Sequence, residues 1–283
     1  MDAISIVILT YDSYRLKCGS IEHVIISLLN QSYRNWEIVL VDNNPEPRRD
    51  YEAILKASGC EYRVVFTGDN RPMGQAKNLG AKHANGSTLI FMDDDTIVCD
   101  SEALAKIAAS SFEYGYGAKR FWTYPPGHFQ RNRDMYFHYL RDKNYDRLLG
   151  LCFLPCGLER SSGYRDLQEF TFPGNFGFVT KALFDEVGGF YSGFEMYGWD
   201  DDYLAYMLYK NAPNSFQFLF EMTKVIHVNH PMGDGYEDVV LVKNRNYLLY
   251  QALLKNDCVE SFNINVLFGI PDADSEKVVE RCK

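Results

Sequence analysis

Three aspartates, Asp93, Asp94 and Asp95, stand side by side directly after the apolar run LIFM. Three adjacent carboxylates repel one another and need a partner, and oxygen ligands of this kind suit Mg²⁺ or Mn²⁺. On an extended chain the side chains of Asp93 and Asp95 point the same way. The pair therefore predicts a shared divalent cation, with Asp94 directed elsewhere, toward a helix N-terminus. A solvated acidic loop that caps the following helix is the alternative interpretation.

A second acidic cluster follows Gly198 and Trp199, where Asp200, Asp201 and Asp202 precede a helical pattern. Acidic residues at the start of a helix are favoured by the helix dipole and by capping. Taken alone, the cluster is therefore typical of a capped helix, and a role in proton transfer is its other interpretation.

The elements that must position the first cluster are short apolar runs alternating with helical patterns. The sequence predicts strands over 4–9, 36–42, 62–67 and 87–93, and helices over 21–31, 51–58, 75–84 and 102–111. This alternation predicts an α/β fold with a doubly wound, mostly parallel sheet. Ligands bind beyond the carboxyl ends of such strands. Residues 10–12, Asp42 and residues 93–95 all fall at predicted carboxyl ends, which indicates a site there.

The second half has a weaker pattern. Residues 114–175 are rich in Tyr, Phe, Arg and Gly, whereas helices are predicted over 179–190, 202–210 and 241–254 and a strand over 222–228. The Gly pair closing the first of these helices is a C-cap signal. Without a repeat or a low-complexity linker, we expect one compact unit: residues 1–110 as a nucleotide-binding half, and 111–283 as a partner-specific half with a C-terminal helical segment.

Composition narrows the class of protein. The chain has 283 residues, 46% of them hydrophobic and 15% aromatic, with a net charge of −9. An acidic chain does not favour nucleic acid as a partner, because phosphate binding needs clusters of Lys and Arg. No apolar run predicts a transmembrane helix or a signal peptide. Seven scattered cysteines are typical of reduced thiols in the cytoplasm. The basic and aromatic span 120–147 predicts a substrate-binding surface or lid, with peripheral contact at the inner face of the membrane as a further option.

Three stretches occur in this order along the first half: SIVILTYDS, SLLNQSYRNWEIVLVDNN and NRPMGQAKNLGAKHANGSTLIFMDDD. Together they resemble the nucleotide-binding half of the family 2 glycosyltransferases, which have the GT-A fold. The resemblance implies a nucleotide-sugar donor, for which a UDP-sugar is the first candidate. Asp42 would accept a hydrogen bond from the base, and Asp93 would face the ribose. The donor-contacting residues that the resemblance implies are Thr10, Tyr11, Asp12, Asp42, Lys77, Asn78, Asp93, Asp94, Gly174, Asn175 and Arg245.

The second acidic cluster resembles the acidic pair that precedes a helix in the same family. The resemblance implies that Asp201 is the general base of an inverting transfer, while Asp200, with Trp199, holds the acceptor; Asp200 and Asp202 are alternatives for the base. The segment VIHVNHP resembles the strand end at which many GT-A enzymes carry a metal-ligating histidine. It implies Asp95 and His227 as the metal ligands, with His230 as the fallback. An imidazole ligand favours Mn²⁺ over Mg²⁺.

The prediction is thus an inverting glycosyltransferase that moves a sugar to a glycan, a lipid-linked sugar or another hydroxyl acceptor. A nucleotidyltransferase is one alternative, although it calls for a Gly-rich basic loop after the first strand, and TYDSYRLK has none. A non-catalytic relative that binds carbohydrate or a protein partner is the other, although both acidic clusters are intact.

Overall fold

The computed structural model describes residues 3–13, 17, 19–46, 51–124, 127–153, 176–196, 198–219, 222–230 and 236–256, and only the backbone of 236–240 and 256. The strands are β1 (Ile4–Thr10), β2 (Trp36–Asp42), β3 (Glu61–Phe66), β4 (Thr88–Asp93), β5 (Thr96–Val98), β6 (Tyr114–Tyr116), β7 (Lys119–Thr123), β8 (Cys152–Phe153), β9 (Gly177–Thr180), β10 (Phe216–Phe218) and β11 (Lys224–His227). The helices are α1 (Ile21–Leu29), α2 (Tyr51–Ser58), α3 (Met73–Lys82), α4 (Ala103–Ala108), α5 (His128–Arg131), α6 (Arg133–Arg141), α7 (Tyr145–Leu149), α8 (Lys181–Glu186), α9 (Asp200–Asn211) and α10 (Tyr236–Asn256).

The larger sheet has seven strands in the order β10-β6-β9-β4-β1-β2-β3. Its central strands β1 and β2 are buried along their whole length and consist largely of β-branched and leucine side chains, as expected for parallel strands covered on both faces. Strands β3, β2, β1 and β4 run parallel, whereas β9 runs antiparallel to both β4 and β6. The predicted α/β fold with a mostly parallel sheet is confirmed.

Helices cover both faces of this sheet because successive strand residues point to opposite sides. Ile4, Ile6 and Ile8 of β1 join the apolar cluster that contains α1 and α2. Val7 and Leu9 join the cluster on the other face, with α3, α8 and α9. Helix α3 lies especially close, because a Cβ on Gly80 would stand 2.5 Å from Val7 Cγ1. That close approach fixes the helix that carries Lys77.

A second sheet of four strands has the order β5-β11-β7-β8. Strand β5 pairs antiparallel with β11, which in turn runs parallel to β7. The chain therefore crosses from the large sheet to the small one between Asp93 and Thr96. The first acidic cluster lies at this crossing.

The second half differs in part from the sequence prediction. The helix expected over 179–190 is shorter, because Val179 and Thr180 pair with β4 as the end of β9. Thr180 then caps α8 by accepting the N–H of Leu183. Gly188 and Gly189 beyond this helix both have positive φ, in line with the predicted C-cap. Among the described residues, none of the helices combines the length and apolar character that crossing a membrane requires.

Candidate functional site

The carboxyl end of β4 and the end of β11 meet at the first acidic cluster. Thr96, at the start of β5, lies opposite His227 in the antiparallel pair. The N–H of Val228 donates to the carbonyl oxygen of Asp95 at 2.9 Å. This backbone pairing places His227 and His230 beside the carboxylate of Asp95.

Asp95, His227 and His230 form a cluster that could hold a divalent cation. Nδ1 of His227 is 3.3 Å from Oδ1 of Asp95, and Nε2 of His230 is 3.1 Å from Oδ2. One potential ligand atom from each residue lies within 4.8 Å of the other two. Oδ1 of Asp95 and Nδ1 of His227 are buried without a hydrogen-bond partner among the described residues. Buried nitrogen and oxygen atoms that converge in this way fit a divalent metal ion, because imidazoles and carboxylates are common metal ligands.

Lys17 is a residue of this cluster that the sequence analysis missed. Its ammonium lies 2.5 Å from Oδ1 of Asp94 and 3.2 Å from Oδ2 of Asp95. Burial alone would lower the pKa of Lys17, but the two carboxylates outweigh it and raise that pKa above its ordinary value. Burial would raise the pKa of Asp95, but Lys17 and His227 hold it well below its usual range. Both groups therefore stay charged at neutral pH.

Asp94 shares Lys17 with Asp95 but is not part of the group Asp95, His227 and His230, here named the metal-type cluster. Its carboxylate is fully buried and accepts the hydroxyl of Thr10 at 2.6 Å on the oxygen that does not face Lys17. Its carbonyl oxygen accepts the hydroxyl of Ser20, the residue before α1, at 2.8 Å. Asp94 thus joins the end of β1 to the start of α1. The side chains of Thr10 and Asp94 bind each other. Their contacts with a donor stay predictions.

The second acidic cluster lies at the N-terminus of α9, with Lys77 of α3 beside it. Nζ of Lys77 is 3.1 Å from Oδ1 of Asp201, and the lysine side chain is 1% exposed. Burial would lower the pKa of Lys77, but Asp201, Asp93 and Asp200 together raise it above its ordinary value. A permanent cation therefore lies among three carboxylates.

Burial sets Asp200 apart from Asp201. Burial, together with the neighbouring Asp201, raises the pKa of Asp200 to about 6, against the opposing effect of Lys77. Oδ2 of Asp200 has no hydrogen-bond partner among the described residues. The side chain of Asp201 is 27% exposed. Of the two, Asp201 is the carboxylate that an incoming molecule can reach.

Asp93 connects the two acidic clusters electrostatically. Burial raises its pKa to about 6. Lys77 and Lys17 oppose that shift from two sides, whereas Asp95 and Asp201 add to it. The carboxylate of Asp93 therefore interacts with charged groups of the metal-type cluster on one side and of the N-terminus of α9 on the other.

Asp42 occupies the carboxyl end of β2, as predicted. It is 2% exposed, and its Oδ1 accepts the side-chain amide of Asn44 at 2.5 Å. Burial raises the pKa of Asp42, with Asn44 opposing and Asp12 adding to the shift. Asp12 is buried and has a positive φ of 49° at the turn after β1, next to the half-buried Tyr11. The structure thus brings Asp12 and Asp42 together, and their contacts with a nucleotide stay predictions.

Other predicted donor residues are engaged elsewhere or lie outside the described residues. The amide of Asn78 is bound at both ends to the backbone of Phe190, at 2.7 and 2.9 Å. NH1 of Arg245 lies 3.4 Å from a carboxylate oxygen of Glu195. Gly174 and Asn175 fall outside the described residues. Contacts of these residues with a donor stay predictions.

Trp199, the predicted acceptor residue, precedes α9 with a positive φ of 69°. Its ring stacks on Tyr250 of α10 at 5.3 Å and 25° and contacts Tyr247 at 4.9 Å. The side chain is half-buried and lies beside the acids that begin α9. Its contact with an acceptor stays a prediction.

Two comparisons of sequence place the chain among known proteins. The protein-family model described as "Glycosyl transferase family 2" matches residues 5–167. An uncharacterized glycosyltransferase of Haemophilus influenzae is 32% identical over 80 residues, which is 28% of this chain and 32% of that protein. The match therefore spans about a third of that relative.

Solved structures share the fold at low sequence identity. The mannosyltransferase PcManGT from Pyrobaculum calidifontis, in complex with GDP-Man and Mn²⁺, has a TM-score of 0.58 and 16% identity, over 91% of this chain and 65% of its own. S. aureus TarS 1-349, in complex with UDP-GlcNAc, has a TM-score of 0.57 and 17% identity, over 85% of this chain and 65% of its own. Both likenesses show the GT-A fold.

Proposed function

The chain belongs to glycosyl transferase family 2, and on that premise we propose that it transfers a sugar from a nucleoside-diphosphate donor, a UDP-sugar, to a hydroxyl acceptor such as a glycan. The transfer inverts the anomeric carbon. One observation carries the proposal: a metal-type cluster and an accessible carboxylate, Asp201, share one site through Asp93 and the buried Lys77. Residues 1–110 bind the donor, and residues 111–283 supply the acceptor side.

The donor nucleotide lies beyond the carboxyl ends of β1 and β2. Asp42 accepts a base N–H, because Asn44 holds its Oδ1 and orients the carboxylate. Asp95, His227 and His230 hold the divalent cation, for which we propose Mn²⁺. When bound, the cation would balance the charge that develops on the departing diphosphate.

The acceptor hydroxyl approaches from the side of α9. Asp201 takes its proton as general base, and Lys77, at 3.1 Å, holds that carboxylate in place. Asp200, the buried acid directly before it, stays the second candidate for binding the acceptor hydroxyls. Trp199 offers an aromatic face beside these acids, a surface on which sugar rings commonly stack.

The proposal is tested by incubating the protein with UDP-glucose, UDP-GlcNAc, UDP-galactose and GDP-mannose in Mn²⁺ and measuring released nucleotide. We expect release from at least one donor. Asp201→Asn should reduce it at least about 100-fold, the usual contribution of a general base, and should leave nucleotide affinity unchanged. Asp202→Asn is the matched control, since it removes the next carboxylate on the same helix turn.

Two outcomes would overturn parts of the proposal. If none of the donors releases nucleotide in the wild type, the transferase function is wrong. If Asp202→Asn loses activity and Asp201→Asn keeps it, the base is Asp202. NMR of the anomeric proton of the product reports whether the transfer inverts.

A further inference from the structure

The turn that leads into α9 has an unusual backbone. Met196 and Trp199 have positive φ angles of 44° and 69°, and Gly198 between them has a φ of 99°. Residues other than glycine rarely have a positive φ. Two such residues within four positions require contacts that hold them, and the acids at the start of α9 follow directly.

Asn246 of α10 supplies those contacts. Its side chain is fully buried. Oδ1 accepts the N–H of Glu195 at 3.1 Å, while Nδ2 donates to the carbonyls of Glu195 at 2.7 Å and Gly198 at 3.1 Å. One amide therefore satisfies three backbone groups on both sides of the turn, much as a paired strand would.

The same face of α10 also holds the last residue of the turn. Tyr250 follows Asn246 by four positions, one helical turn along, and stacks on the indole of Trp199 at 5.3 Å. From the opposite side, the N–H of Met73, at the start of α3, donates to the carbonyl of Met196 at 2.9 Å. The turn is thus fixed between the helix that carries Lys77 and the C-terminal helix α10.

We infer that Asn246 is a positioning residue for sugar transfer: it fixes the turn that contains Glu195, Met196, Gly198 and Trp199, so that Asp200 and Asp201 begin α9 facing Lys77. The inference rests on the proposed function. Asn246 acts through the turn, and the three hydrogen bonds described above reach Glu195 and Gly198 of that turn. It therefore governs the rate of the chemical step and leaves donor affinity alone. Helix α10 thereby supports the turn that precedes Asp200 and Asp201, with the stacking of Tyr250 on Trp199 as its second contact.

The test compares Asn246→Ala with Asn244→Ala, a control on the same helix whose side chain is exposed. We expect Asn246→Ala to lower kcat about 100-fold, the loss that a small misplacement of a catalytic group produces, with KM for the donor and UDP affinity within twofold. Hydrogen exchange of the backbone amides of residues 198–202 should be at least about tenfold faster in Asn246→Ala. Asn244→Ala should match the wild type in every measurement.

Tyr250→Leu is the second variant, should Asn246→Ala fold poorly, because it keeps apolar volume and removes the stack on Trp199. It should show the same split between kcat and UDP affinity. Equal losses of kcat and UDP affinity, or unchanged kcat with unchanged exchange, would overturn the inference. A wild type without transfer activity overturns the proposed function instead, and the exchange data then decide by themselves whether Asn246 holds the turn.

Discussion

The ammonium of Lys77 lies 3.1 Å from a carboxylate oxygen of Asp201, although the two residues are 124 positions apart. Lys77 lies on α3, in the half of the chain proposed to bind the donor, and Asp201 is the second residue of α9. The lysine is buried and its pKa is raised by the surrounding carboxylates. A single ion pair therefore ties the acid proposed as general base to the proposed donor-binding half.

Lys77→Met should impair transfer and change its pH dependence. Lys77 opposes the rise in the pKa of Asp200, which interacts directly with the proposed base Asp201. The loss of Lys77 should raise the pKa of Asp200 above 6, and because interacting acids titrate as a pair, the acidic limb of the rate profile should move to higher pH. We expect a decrease in kcat of at least about 100-fold at neutral pH, because the buried carboxylates lose their cation. Lys77→Arg keeps the charge and should keep the position of the limb. Lys82→Met, exposed on the same helix, is the control, and a profile identical to that of the control would refute the role of Lys77.

Asp200→Asn should stabilise the protein at neutral pH. The folded pKa of Asp200 is about 6, above the ordinary 3.8, so the folded state binds the proton more tightly than the unfolded chain. Stability is therefore lost as pH rises from 3.8 through 6, by up to about 3 kcal/mol. The uncharged amide avoids that cost, so the variant should be more stable in urea at about pH 7.5 and equal to the wild type near pH 4. Asp185→Asn, exposed on α8, should show no such gain; a loss of stability in Asp200→Asn at pH 7.5 would contradict the prediction.

Lys17→Met should destabilise the fold. The substitution leaves the fully buried carboxylate of Asp94 without its cation, and breaking a buried ion pair from one side costs about 3–5 kcal/mol. Urea unfolding measures the change. Lys56→Met, at an exposed position of α2, should cost less than about 0.5 kcal/mol. Adding Asp94→Asn to Lys17→Met should recover part of the lost stability. If the stability losses of the two single variants simply add in the double variant, Lys17 and Asp94 do not form a stabilising ion pair.

His23 should make the protein sensitive to acid. Its ring is buried against Phe129 and Phe137, and burial lowers its pKa to about 3. Below the ordinary pKa of 6.5 the unfolded chain takes up a proton that the folded chain refuses. Stability is therefore complete above pH 6.5 and falls by about 1.4 kcal/mol per pH unit below it.

Urea unfolding at about pH 7 and pH 5 in wild type and His23→Leu isolates this effect. The difference between the two pH values should be smaller in His23→Leu, by about 2 kcal/mol. His138→Leu, a histidine exposed on α6, should leave the difference as it is in the wild type. If His23→Leu behaves like His138→Leu, His23 is not the acid-sensitive group.

Much of the donor half could be predicted from the sequence because its signals are local. Strands such as β1 and β2 are continuous apolar runs, and parallel strands place their carboxyl ends at one edge. That rule alone brings Asp12, Asp42 and Asp95 to the edge of the sheet where the parallel strands end. The histidine beside Asp95 was a further prediction, and the structure brings both His227 and the fallback, His230, to that carboxylate.

The rest depends on contacts between distant segments. Lys17 lies in a polar turn with no distinguishing pattern, and only the fold shows that it meets Asp94. Strands β5, β6 and β7 are three to five residues long, too short for a clear periodicity, and the last two residues of β9 fall within the helix predicted over 179–190. The buried amide of Asn246 looks like any polar residue of a helix until the turn before α9 packs against it.

The central claim is a nucleotide site built around a metal held by Asp95, and isothermal titration tests it most directly. UDP and GDP are titrated with Mn²⁺ and after chelation into wild type, Asp95→Ala and Asp142→Ala, the last an exposed carboxylate of the same type. We predict that UDP binds the wild type and Asp142→Ala in Mn²⁺, and that chelation or Asp95→Ala weakens this binding at least about tenfold, the scale on which disturbed metal sites lose affinity. Binding that is equal with and without metal and in Asp95→Ala, or no binding of either nucleotide, would contradict the account.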